Sequence, residues 1–232
     1  MVFVIAEIGV NWDGDFELLK KMLLASKKSG CNAVKFQSFT EEMIKDHPQK
    51  SRLMKSTISQ NNVEEINKIA KTVGIEWFCT PMYHEAINFL NPFVKRFKIR
   101  EFDGRLIVNN QKSKLFETIY KTGKEIIISS QTNPNKSNYY SDPKIKWLYC
   151  VPKYPSKLED VDFSIIKKFD GYSNHNPQSI IPITATILGA KIIEVHITSN
   201  KSQKFIDNNV SFDFNELEEI VNVIHQIEKI KR

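Results

Sequence analysis

Residues 29–37 read SGCNAVKFQ, and this stretch decides the fold. Gly30 stands just past a helix-like segment, FELLKKMLLASKK at 16–28, and just ahead of a β-rich run in which apolar Val34 and Phe36 alternate with polar Lys35 and Gln37. Glycine past a helix end supplies the left-handed backbone that stops the helix. Alternation of period two marks a strand with two different faces. The same junction recurs as VGIEWF at 73–78, TGKEIII at 122–128 and LGAKIIEV at 188–195. Helix, stop and strand therefore repeat along the chain, the pattern of parallel βα units rather than of a domain boundary.

Outward from that junction, strand-like runs fall at Val2–Ile8, Asn32–Gln37, Ile75–Cys79, Arg96–Ile99, Glu125–Ser129, Lys146–Cys150, Phe169–Tyr172 and Lys191–His196, with an amphipathic helix over Asp213–Ile230. Eight strand-helix units in 232 residues predict an α/β fold, a compact (β/α)8 TIM barrel forming one catalytic domain over 1–232. A doubly wound open sheet is the alternative, and the glycine-rich first turn of that fold is absent. The polar segments 40–62 and 131–145 are predicted as long loops at the catalytic face.

Composition narrows the function. With 41% apolar and 26% charged residues the chain reads as globular. Its net charge of +6 is scattered, with no basic run longer than a pair, which argues against a nucleic-acid partner and suits a small polyanion. No apolar run approaches the roughly 18 to 20 residues of a membrane span, and the residues after Met1 carry no leader pattern, so a cytoplasmic protein is expected. Cys31, Cys79 and Cys150 are widely spaced and read as buried strand residues.

In a barrel the chemistry sits at the carboxyl ends of the strands. Those ends carry Glu7, Lys35, Gln37, Thr80, Lys98 and Ser129, then Tyr154, Ser173, His175 and His196. Alternation turns Lys35, Gln37 and Lys98 into the mouth. Two lysines beside hydroxyls suit a ligand bearing phosphate and carboxylate, unless each merely pairs with Glu7 or Asp103. His175 and His196 lie one βα step apart, placing two imidazoles on neighbouring strands where they can share a divalent metal. His47, His84 and His225 read as surface residues.

These motifs together carry a resemblance. IAEIGVNWDGD at 5–15, GCNAVKFQSF at 30–39, WFCTPMYHEAINFL at 77–90, FKI at 97–99, EIIISS at 125–130, YCVPKYPSKLEDVD at 149–162, GYSNHNPQSIIPITATILGA at 171–190 and IIEVHIT at 192–198 resemble, in order, the sialic acid synthase family. The resemblance implies a barrel that condenses phosphoenolpyruvate with an amino sugar aldehyde to give a nonulosonic 2-keto acid and phosphate. It implies that Lys35, Thr80, Lys98, Ser129 and Ser173 hold phosphate and carboxylate, and that His175 and His196 bind Mn2+ or Mg2+. Glu7, Asn11, Gln37, Tyr154 and Asp207 would line the sugar side, with Glu7 and Asp103 as candidates for moving protons.

The sequence also departs from the family. Arg100, Glu101, Phe102 and Asp103 replace small residues, a serine and a glutamate after the lysine strand, Asn174 replaces an aspartate, and Val195 and Asn208 replace a lysine and a histidine. The family's antifreeze-like domain, which reaches across a homodimer to the sugar, has no counterpart in the sequence up to Arg232. The acceptor is therefore not carried over. Two other readings stay open: a barrel that binds a sugar acid or phosphorylated ligand without turnover, acting with a partner, and a metal-free lyase forming a Schiff base on Lys35 or Lys98.

Overall fold

In a computed structural model, which describes residues 1–230, eight parallel strands close into a barrel. They are β1 (Phe3–Gly9), β2 (Ala33–Ser38), β3 (Glu76–Pro81), β4 (Arg96–Ile99), β5 (Glu125–Ser130), β6 (Ile145–Cys150), β7 (Gly171–Asn174) and β8 (Ile192–Ile197). Each pairs with the next, and β1 pairs with β8 from Phe3↔Ile192 to Glu7↔His196, which closes the cylinder. A two-residue strand β9 (Ser211–Phe212) adds to β8 outside the closed ring.

The helices form where an apolar face can be laid on the barrel. In α1 (Phe16–Lys28), Asp15 caps the first turn by accepting from the Glu17 and Leu18 amides at 2.9 and 3.2 Å, and Leu19, Met22 and Leu23 are buried. Burying each such side chain contributes roughly 1.5–3 kcal/mol. Their partner surface is the outer face of the strands, where Phe36 meets Trp12 and Trp77 edge-on at centroid distances of 6.5 and 6.1 Å.

The connections are less regular than eight equal units. The segment 40–62, predicted as loop, contains α2 (Lys50–Ser56), followed by α3 (Val63–Val73). After β3 comes the short α4 (Ala86–Leu90), and after β4 come α5 (Glu101–Val108) and α6 (Lys114–Lys121). Between β6 and β7 the described backbone makes only short 3-10 turns, Leu158–Asp160 and Phe163–Lys168, where a helix was expected. Here Tyr149, Phe163, Phe169 and Tyr172 pack ring against ring and cover the barrel without one. The remaining helices are α7 (Ile180–Ile187) and α8 (Phe214–Ile230).

Two features fix where the site lies. At the amino-terminal end, Arg96 ion-pairs with Glu76 at 2.7 Å and with Glu125, and stacks 4.5 Å over Phe3, so the first residues of β1, β3, β4 and β5 close that end. At the other end α5 approaches β5 so closely that a Cβ on Gly104 would stand 2.1 Å from the Ser129 carbonyl oxygen. Only glycine permits that contact, and it brings the first turn of α5 to the barrel mouth.

Candidate active site

The mouth holds a cavity of about 440 Å³. Lys35, Gln37, Thr80, Lys98, Ser129, Tyr154, Ser173, His175, His196, Asp207 and Glu7 all line it. The lysine side chains have almost no solvent exposure, Lys35 4% and Lys98 3%. Lys35 Nζ stands 2.8 Å from Glu7 Oε2 and donates to Thr80 Oγ1 at 3.1 Å. Lys98 Nζ donates to Ser129 Oγ at 2.7 Å.

Between the lysines stands a residue that strand-end reading missed. Glu194, 2% exposed, places Oε1 3.4 Å from Lys98 Nζ and 3.8 Å from Lys35 Nζ, and accepts from Ser173 Oγ at 2.8 Å. Its other oxygen has no hydrogen-bond partner. The signal was present in IIEVH: Glu194 lies two residues before His196, on the same face of β8.

Burial and charge act against each other here. Burial pushes the Lys35 ammonium down, but Glu194 and Glu7 outweigh it and hold its pKa above the ordinary value. Lys98 has the same burial, only Glu194 close by, and Lys35 as a like charge, so its pKa is lowered. Burial raises the Glu194 carboxyl, and the two ammonium groups with Ser173 overcome this and hold it below the usual carboxylate range. The lysines thus do pair with an acid, the plainer alternative for them, yet both pairs lie on the cavity wall.

Above this floor, the rings of His175 and His196 stand 5.4 Å apart between centroids. His175 Nδ1 lies 2.9 Å from the Val151 carbonyl, which fixes the proton there and leaves Nε2 as the lone pair. Burial lowers the His175 pKa more than that carbonyl raises it, so the ring is held neutral. Tyr154 exposes half of its surface, but its hydroxyl reaches inward to 2.6 Å from His196 Nε2. Burial, then Asp207 and Glu7, raise its pKa well above the ordinary value, so it stays a phenol.

Two imidazoles facing one another suit a borderline divalent ion. Among the described residues no group of three His, Cys, Asp or Glu side chains is arranged to hold a metal ion. Asp207 Oδ2 is 3.6 Å from His196 Nδ1, a nitrogen that the Tyr154 hydroxyl also approaches, at 3.2 Å. The nitrogen donors that such an ion would meet in the mouth are those of His175 and His196, with the Tyr154 hydroxyl and Asp207 beside the second ring.

Two predicted site residues stand elsewhere. Asn11 is buried behind the wall, where it donates to the Ile197 carbonyl at 2.9 Å and Ser211 Oγ at 3.0 Å and accepts from the Asp207 amide at 3.0 Å. Its geometry is that of a brace for the Asp207 backbone. Asp103 is not on the wall either: in the first turn of α5 it accepts from Arg100 Nε at 2.6 Å. Helical spacing turns Glu101, Phe102 and Arg105 toward the cavity instead. Around Gly9, at φ +53°, Asp207, Gln37 and Glu7 converge so that a Cβ would lie 3.2 Å from a polar atom of each.

Comparison with known proteins matches residues 22–232 to the NeuB family. The chain belongs to the NeuB family. It is 32% identical to an uncharacterized protein of Methanocaldococcus jannaschii over 98% of this chain and 71% of that one. It is 29% identical to the N,N'-diacetyllegionaminic acid synthase of Legionella pneumophila, over 98% of this chain and 72% of that enzyme. The N-acetylneuraminic acid synthetase of Leptospira borgpetersenii, solved in complex with citrate, superposes with a TM-score of 0.86 at 27% identity, over 99% of this chain and 85% of that one. The eight-stranded barrel of this NeuB chain is thus shared with a solved synthetase.

Proposed function

We propose that this NeuB-family chain is a synthase that joins phosphoenolpyruvate to an amino sugar aldehyde, giving a nonulosonic 2-keto acid and inorganic phosphate. The observation that carries the reading is the floor of the cavity: two buried ammonium groups, each anchored to a carboxylate and ringed by Thr80, Ser129 and Ser173, directly below a histidine pair. That arrangement suits a small acid bearing both carboxylate and phosphate, with an aldehyde stacked above it.

In the bond-forming step the enol carbon of phosphoenolpyruvate joins the aldehyde carbon. Water adds at C2, and collapse of that tetrahedral carbon breaks its bond to the phosphate oxygen, leaving the 2-keto acid. Lys35 and Lys98, both almost wholly buried at the cavity floor, offset the donor's negative charge. Gln37, Tyr154 and Asp207 orient the acceptor, and Glu7, bonded to Gln37 at 2.9 Å, is the carboxylate placed to move a proton at the aldehyde oxygen. His175 and His196 would hold Mn2+ or Mg2+, which when bound polarises the aldehyde. Such an enzyme would draw on the phosphoenolpyruvate of the cytoplasm and act as a homodimer.

The lowered Lys98 pKa lends some weight to a lysine nucleophile, but its Nζ is tied to Ser129 and Glu194. Phosphate release from phosphoenolpyruvate, measured with a panel of N-acetylated hexosamines and diacetamido sugars in Mn2+ and in chelator, tests the proposal. Release that requires both acceptor and metal is expected. Borohydride trapping of a lysine adduct with full activity in chelator would replace the synthase with a Schiff-base lyase.

A further inference from the structure

The floor of the cavity is electrically balanced: Lys35 and Lys98 face Glu7 and Glu194. A donor that brings a carboxylate and a phosphate ester adds two to three negative charges to a site that has no net charge of its own. The other cationic side chains on the cavity wall, apart from the histidines, are Arg100 and Arg105. Arg105 is spent, because its Nε and Nη2 make three bonds of 2.6–2.8 Å to the Glu101 carboxylate. Arg100 is different. Its Nε donates to Asp103 at 2.6 Å, its Nη1 meets the weak acceptor Sδ of Met82 at 3.3 Å, and the guanidinium lies 5.1 Å over the Phe102 ring, so among the described residues its terminal nitrogens make no hydrogen bond to a carboxylate. The side chain is 39% exposed, at the rim. Arg100 follows Lys98 by two residues, so both leave the end of β4 on the same side, one step above the other.

We propose that Arg100 receives the phosphate of the donor substrate, with Asp103 as the residue that positions it. Guanidinium is the cation whose planar fork matches two phosphate oxygens at once, and fixing Nε on a carboxylate leaves the terminal nitrogens turned to the ligand. Asp103 thereby has a role that does not require it to reach the reacting atoms. The assignment rests on the synthase reading, and its test separates the two.

The experiment is calorimetric titration of phosphoenolpyruvate, and separately of inorganic phosphate, into the Mn2+-loaded wild type, Arg100→Ala, Arg100→Lys and Asp103→Asn, with KM for both substrates wherever turnover is seen. Arg100→Ala is expected to weaken both ligands by about tenfold to a hundredfold, the range of one charge-assisted pair, with KM for the acceptor unchanged. Arg100→Lys recovers part of the loss. Asp103→Asn weakens binding less, and adds little when combined with Arg100→Ala, since it acts through that residue. Arg100→Ala and Arg100→Lys both binding phosphoenolpyruvate like the wild type, or a rise confined to the acceptor's KM, overturns the assignment and leaves the synthase standing. A wild type that binds neither phosphoenolpyruvate nor phosphate overturns both.

Discussion

Glu194 Oε1 and Lys98 Nζ lie 3.4 Å apart at the floor of the barrel mouth, and the same oxygen is 3.8 Å from Lys35 Nζ. One carboxylate thus serves two buried ammonium groups. Removing it leaves Lys98 without its acid partner where solvent does not reach, while Lys35 keeps Glu7 at 2.8 Å, and breaking a buried pair from one side costs about 3–5 kcal/mol. Glu194→Gln, which keeps the shape and removes the charge, is therefore expected to lower the urea-unfolding free energy by that amount. A midpoint and slope equal to the wild type would mean that the lysines shed their protons or find water, contrary to the ion-paired floor.

The crowding around Gly9 gives a second expectation. Any side chain there must adopt φ +53°, at a cost of about 1–2 kcal/mol, and its Cβ must push on Asp207, Gln37 and Glu7 together. Those three groups face the acceptor in the proposed reaction, so Gly9→Ala should raise the acceptor KM by about tenfold or more, as small misplacements do. Affinity for phosphoenolpyruvate should stay near the wild-type value. Equal loss on both substrates would show that the substitution disturbs the whole mouth.

For the histidine pair the direct observable is metal binding. Titrating Mn2+ and following its free-ion electron paramagnetic resonance signal should show uptake by the wild type and little by His175→Asn or His196→Asn, with unfolding temperatures preserved. Chelator should stop phosphate release and added Mn2+ restore it. Uptake that is indifferent to both substitutions would remove the pair from the metal site.

Alkaline stability follows from Cys31. Burial pushes its thiol up to about 12, whereas the unfolded chain ionises it near the ordinary value of about 8.5. Between those values the folded state binds more protons than the unfolded one, so stability is full below roughly pH 8.5 and falls as pH rises, by about 1.4 kcal/mol per unit for this one group. Cys31→Ala should flatten the decline in unfolding free energy between pH 9 and 10.5 by nearly that slope. Parallel declines would locate the alkaline loss in other groups.

The barrel was legible because its code is repetitive: four glycine-stopped junctions and period-two strands leave little freedom in topology. The inward aim of Lys35, Gln37 and Lys98 was legible from the same alternation. Attention to strand ends alone hid Glu194, one rung deeper on β8. Asp103 and Asn11 were misplaced for a different reason, since both follow a strand by several residues, where helix phase and loop closure, not strand alternation, decide which way a side chain turns. In α5 that phase gives the cavity to Glu101, Phe102 and Arg105. The sequence KSRLMKS of α2 shows too weak an apolar pattern to announce a helix, and two-residue β9 is too short for any periodicity.

The ionic floor also sets a limit on how heat-resistant the natural sequence can be. Buried charges of this kind are often replaceable by well-packed apolar side chains with a gain of 1–4 kcal/mol. A barrel carrying apolar side chains at positions 7, 35, 98 and 194 together would be a sturdier object and, on the proposed reaction, an inert one. Those four positions are the ones to hold fixed in any attempt to make this chain tougher, and the outer faces under α1 and α3 are where such an attempt should begin.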